Sequence, residues 1–198
     1  MTSQPGSAPT REGAMLRELV LPAYLPTLLW ALALGAVAPM VALSARALGA
    51  STSVAALMVG LGLVVELILA VPVGKLVDRA GERRTMLAAA GLLAVSALIG
   101  WRAQSLWQLA AAVVLQAPCV VAFIVARMGY IADAVPVSLR GRALSVLGGV
   151  ARVGMLVGPL IAAPVIAAAG AQSAYLVGLV AATVGGIVIA VTVHDPHH

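Results

Sequence analysis

Six apolar blocks separated by short polar turns decide what this chain can fold into. They run near Val20–Leu43, Val54–Gly74, Thr85–Trp101, Leu106–Ala126, Ala143–Ala168 and Ala174–Val193. A helix rises about 1.5 Å per residue, so some 20 apolar residues cross the ~30 Å hydrocarbon core of a bilayer. The third block is the shortest. Lipid offers backbone amides and carbonyls no partner, and a spanning segment must satisfy them internally, as a helix does. The expected fold is therefore an all-α membrane protein with six transmembrane helices. Because the connections are brief, helices adjacent in sequence are expected to lie antiparallel and side by side.

Composition points the same way, with 62% of residues apolar and 10% charged, where a soluble domain carries roughly 25% charge. The net charge of +5 raises nucleic acid as a partner. The cations, however, are not gathered with aromatics on one surface, and that class is set aside. They fall instead in alternate loops. Arg11 and Arg17 precede the first block, Lys75, Arg79, Arg83 and Arg84 follow the second, and Arg127, Arg140 and Arg142 follow the fourth. The opposite side has only Arg46 and Arg102. The positive-inside rule then puts both termini in the cytoplasm, for a multi-pass protein of the plasma or inner membrane.

Residues 1–19 read as a disordered cytoplasmic tail, 20–193 as the transmembrane domain, and 194–198 as a closing tail or the start of a central loop. The first block is longer than a signal-peptide core and no small-residue cleavage site ends it, which reads as a retained signal-anchor helix. Cys119 stands alone inside an apolar block, so there is no disulfide framework and a small buried residue is expected.

The most polar stretch between long apolar blocks is Gly74-Lys75-Leu76-Val77-Asp78-Arg79-Ala80-Gly81-Glu82-Arg83-Arg84. Gly74 would admit another backbone at a helix end, and Gly81 would supply a positive φ in a tight turn. Asp78 is placed to cap a helix start or answer a neighbouring helix dipole. The bland alternative is a plain positive-inside loop. The stretch resembles the signature G-x-x-x-D-R-x-G-[RK]-[RK] of the major facilitator superfamily, which joins transmembrane helices 2 and 3. Gly74, Asp78, Arg79, Gly81 and Arg83 match, whereas Glu82 stands where the family has a cation.

Two further segments are similar to that family. Ala132-Asp133-Ala134-Val135-Pro136 followed by Arg140-Gly141-Arg142 looks like its link between helices 4 and 5. Gly154-Met155-Leu156-Val157-Gly158-Pro159-Leu160-Ile161-Ala162-Ala163 looks like its helix-5 pattern G-x-x-x-G-P-x-x-[GA]-[GA], associated with drug:proton antiporters. Read as packing, Gly154, Gly158 and Ala162 recur every fourth residue and form a groove for another helix. The helix-4 motif R-x-x-Q-G is degraded: Gln116 remains, with Val113 and Ala117 at the arginine and glycine positions. The resemblance implies two inverted three-helix repeats forming the amino-terminal half of a twelve-span carrier. It also implies that Asp133, beside Arg127, pairs with signature-loop Arg79 or Arg83 in a latch.

Two ionisable residues lie deep in apolar blocks, where each costs roughly 2.5–3.5 kcal/mol on insertion scales. Glu66 precedes Pro72 and Arg152 precedes Pro159 at similar depth, in the second and fifth blocks. Helical geometry puts Arg152 on the face of Pro159, almost opposite Gly154. Both charges are expected to face the central pathway or a second half, with Glu66 taking a proton or a cationic substrate and Arg152 serving as counter-ion or anion contact. A purely structural ion pair is the competing reading. Gln116, Cys119, Phe123, Arg127 and Tyr130 share one face of the fourth helix. The resemblance implies that helices 1 and 4 line the cavity, which makes Gln116 and Phe123, and Tyr24 and Trp30 in the first helix, candidate walls, although core packing suits Phe123 and Cys119 and an interfacial anchor suits Tyr24.

The function expected is secondary active transport: proton-coupled efflux of small amphipathic compounds by alternating access. Its partners are the bilayer, the substrate, protons, and either a carboxy-terminal six-helix half or a second copy. The rival readings are a homodimeric carrier, a non-transporting scaffold or regulatory subunit, and an importer. No catalytic or metal-ligand spacing appears, no cofactor is implied, and the absence of a phosphate cradle argues against ATP as the energy source.

Overall fold

A computed structural model describes residues 19–193. The tail expected over residues 1–19 lies outside the described residues except for Leu19, as do Arg11, Arg17 and residues 194–198. A π-helical turn at Val20–Tyr24 leads into α1 (Leu25–Ala47). There follow α2 (Thr52–Ala80), α3 (Glu82–Arg102), α4 (Leu106–Ala134) and α5 (Val137–Ala169), then a 3₁₀ turn at Ala171–Ser173 and α6 (Ala174–Thr192). All six spans are long and apolar enough to cross a membrane.

Several helices overrun their apolar blocks. The signature stretch is not an extended loop: α2 continues through Lys75, Asp78 and Arg79 to Ala80, and α3 begins at Glu82. Only Gly81 separates the two, with φ 83°, a conformation that costs a residue with a Cβ about 1–2 kcal/mol. Likewise Arg127 and Asp133 belong to α4, and Arg140 and Arg142 to α5. Backbone hydrogen bonding carries a helix past the point where its side chains turn polar, which block length alone does not register. At the other end of the bundle, the side chains of Ser51 and Ser105 accept from Val54 N and Gln108 N, both at 3.3 Å, and start α2 and α4.

Side-by-side placement of sequence neighbours holds for α3 with α4 but not along the rest of the chain. The dominant pairings are α1 with α5, α3 with α4, α3 with α6, α1 with α6 and α2 with α4, while α2 and α3, α4 and α5, and α5 and α6 scarcely touch. A short turn fixes only two helix ends, and the remaining length diverges toward whichever surface fits it best. Exchanging the first three helices for the last three maps α1–α5 onto α4–α2, α1–α6 onto α4–α3, and α3–α6 onto itself. Successive helices reverse direction, so helices three apart run oppositely. The bundle is thus two inverted three-helix repeats.

Glycine selects the strongest of these pairings. A Cβ on Gly154 would lie 2.6 Å from Leu28 O, and one on Gly158 would lie 2.5 Å from Leu32 O and 2.7 Å from Ala36 N. The backbones of α1 and α5 therefore meet almost directly, as small residues allow in a bilayer. Gly178 on α6 takes Val37 γ2 in the same way, and Gly100 on α3 takes the Tyr175 ring. A hydrogen bond from Ser96 Oγ to Ala112 O, 2.8 Å, joins α3 to α4 within the apolar interior.

Candidate functional site: a pocket at the junction of α1, α2 and α4

The α2–α4 pairing, the repeat partner of α1–α5, has no comparable glycine seam. A Cβ on Gly62 would lie 3.2 Å from Val113 Cγ1, and around these two residues the helices leave a pocket of about 150 Å³. Glu66 and Gln116 line it, with Ala38 and Val41 from α1, and Met58 and Leu63 from α2 among the apolar walls. Glu66 is the middle residue of α2, and both polar side chains are half-buried. Among the described residues neither is bonded to another side chain. One carboxyl and one amide therefore converge on an apolar recess at mid-span, a chemistry suited to a proton or a small cationic group.

The other expected site residues distribute differently. Arg152 stands beside the middle residue of α5, exposed together with Pro159, while Gly154 and Gly158 are buried. Helices α2 and α5 do not form one of the packed pairs, so Arg152 is not the counter-ion of Glu66 within this bundle. Phe123 is 1% exposed and stacks on Trp30 with ring centroids 4.1 Å apart. Both rings belong to the core, not a cavity wall. Tyr24 is buried at the start of the first span, clustered with Ile131, Val135 and Leu139 around the α4–α5 turn. The shared face of α4 points mostly inward: Cys119 is buried, and Arg127 lies over the Phe123 ring at 5.8 Å.

The signature residues also rearrange. Asp78 and Arg79 are exposed in the last turn of α2, and Asp78 caps no helix among the described residues. Nothing within 4 Å would meet a Cβ on Gly74, so no backbone of this bundle approaches it. Arg83 donates to Ala190 O at 3.0 Å, which sets a cation on the unsatisfied carbonyl end of α6. Asp133 is exposed and makes no ion pair with a described residue, so the expected latch is not formed here. Glu82, the residue out of pattern, occupies the first turn of α3, favourable for an acid, and its carboxylate lies over Gly129 of α4. Sequence reasoning missed both the Arg83–α6 contact and the Glu82–Gly129 contact. The helix-end charge rule offered a signal for the first, whereas nothing in the sequence pairs Glu82 with Gly129.

An inverted-repeat bundle of six membrane-length helices, with a polar pair held at mid-span, defines a multi-pass membrane transporter. A model of the family described as the Major Facilitator Superfamily matches residues 24–198. The chain belongs to that superfamily. No curated relative matches it.

Proposed function

We propose that this protein is a proton-coupled exporter of small amphipathic compounds, working by alternating access between this six-helix unit and a second one. The observation that carries the proposal is the meeting of Glu66 and Gln116 in one recess at the centre of the bundle. A carboxyl there can exchange a proton for the cationic group of a substrate, which couples the two fluxes. The drug:proton antiporter resemblance of α5 agrees with that chemistry, although the Gly154–Gly158 seam is fully accounted for by packing against α1.

The second unit is inferred from α2 and α5. Leu67, Ile68 and Val71 on α2, and Leu156 and Leu160 on α5, are among the most exposed apolar side chains. Arg152 shares the open side of α5, and a charge at that depth would cost several kcal/mol against lipid. Protein or a polar cavity therefore covers this side. Asp78 and the open flank of Gly74 would then meet the second unit, which makes the α2–α3 turn a gate. The cation asymmetry of the loops orients that turn toward the cytoplasm of a cell membrane.

The test is reconstitution of the complete transporter in proteoliposomes containing a pH-sensitive dye. A lipophilic monovalent cation added outside should trigger proton movement, and Glu66→Gln should reduce that movement at least tenfold while leaving protein incorporation unchanged. Full proton movement in Glu66→Gln would refute the assignment.

A further inference from the structure

We infer that a groove between α2, α3 and α4 holds one acyl chain of an anionic phospholipid, with the phosphate on Arg84. Helices α2 and α3 part from the Gly81 turn and leave a cavity of about 350 Å³, floored by α4 at Pro118, Cys119 and Ala122. Beyond Arg84 and Thr85 at the turn, where the Thr85 hydroxyl donates to Gly81 O, its wall is apolar, from Val73 and Leu76 on α2 to Ala88 and Leu92 on α3. Arg84 is its one charged lining residue and stands at the turn end.

Three observations select the occupant. The eight residues from Arg84 to Leu92 span about 12 Å along α3, close to the ~15 Å of hydrocarbon in one leaflet. The groove thus begins at headgroup level and ends near the bilayer centre, as an acyl chain does. Its polarity follows the same gradient, with a cation at the turn and only apolar groups beyond. Finally, the two adjacent arginines behave differently. Arg83 is engaged with Ala190 O, whereas Arg84 is exposed and bonded to no described residue. A guanidinium is a good bidentate partner for phosphate.

The experiment is native mass spectrometry of the delipidated full protein in detergent, offered equimolar phosphatidylglycerol and phosphatidylcholine with matched oleoyl chains. The wild type should retain phosphatidylglycerol with about fivefold preference, the effect of one cation–headgroup contact. Arg84→Gln should bring the ratio near one without loss of total lipid, and Arg84→Lys should keep the preference. Ala88→Phe, a change at an exposed lining position, should reduce retention of both lipids severalfold. Lys75→Gln removes an exposed cation from the same end of α2 that does not line the groove, and should change nothing. The inference is overturned if Arg84→Gln keeps the wild-type ratio, or if Lys75→Gln lowers it equally, which would indicate a diffuse basic surface. Undiminished lipid retention by Ala88→Phe would overturn it as well and would point to a protein segment covering the groove.

Discussion

Gly35 on α1 sits against the Met155 carbonyl of α5: a Cβ built on Gly35 would lie 2.5 Å from that oxygen and 2.9 Å from Met155 Cα. The carbonyl is the one that Pro159, lacking an N–H, leaves without its helical donor. Pro39 likewise frees the carbonyl of Gly35 itself. The α1–α5 seam therefore joins two helices at points where each has a loosened backbone.

Gly35→Ala is accordingly expected to destabilise the protein by about 1–3 kcal/mol, because the obstructing atoms are backbone and cannot rotate away. Gly60→Ala and Gly148→Ala, where nothing lies within 4 Å of the new methyl, should stay within about 0.5 kcal/mol of wild type. Cys119, the only cysteine and a buried one, reports the outcome directly through its reaction with a thiol-reactive dye on heating. Equal melting of the three variants would show that the seam is not tight.

Trp30 and Phe123 stack with their planes 5° apart at the centre of a cluster drawn from α1, α2, α3, α4 and α6. Their substitution should therefore lower stability and not alter substrate preference. Phe123→Ala is expected to cost about 3–5 kcal/mol. A double-mutant cycle with Trp30→Leu should return a coupling of about 0.5–1.5 kcal/mol. If Phe123→Leu folds normally yet changes which compounds are transported, the ring lines the pathway after all.

Much of this architecture was legible in the sequence because lipid imposes one requirement on every span. Apolar length therefore identified all six helices, and Gly154, Gly158 and Pro159 divided α5 into buried and open faces before any coordinates. What sequence could not supply was partner choice. The glycines of α5 say that some helix comes close, and only the structure shows that it is α1 and not the neighbouring α4 or α6. The site was half legible for the same reason. Depth singled out Glu66, and an incomplete motif left Gln116, but their meeting depends on the α2–α4 pairing. Phe123 was left between cavity wall and core because helical spacing defines a shared face of α4 without saying which way it points, and its 1% exposure settles it as core.

Arg83 should matter chiefly to α6. Its bond to Ala190 O is solvent-accessible, so Arg83→Gln is expected to cost only about 1 kcal/mol. Amide exchange should speed up in the last turn of α6 and remain unchanged in α1 and α5. Uniform acceleration across the bundle would instead mean that Arg83 supports the whole fold.

The open sides of α2 and α5 make a prediction that separates the two candidate partners. Leu67 is 78% exposed and Leu160 is 67% exposed, yet Arg152 marks the α5 surface as unsuited to lipid. In a Cys119→Ser background, Leu67→Cys and Leu160→Cys should each be shielded from a membrane-soluble thiol reagent in the complete transporter. Trp107→Cys, 86% exposed at the opposite end of the bundle, should label freely. If the second unit is another copy of this chain, Leu67→Cys placed near a two-fold axis should also cross-link to itself under oxidation. If it is a different six-helix half, shielding should occur without that cross-link. Rapid labelling at both Leu67→Cys and Leu160→Cys would leave Arg152 facing lipid, and the inference of a second unit would fail on its own electrostatic argument.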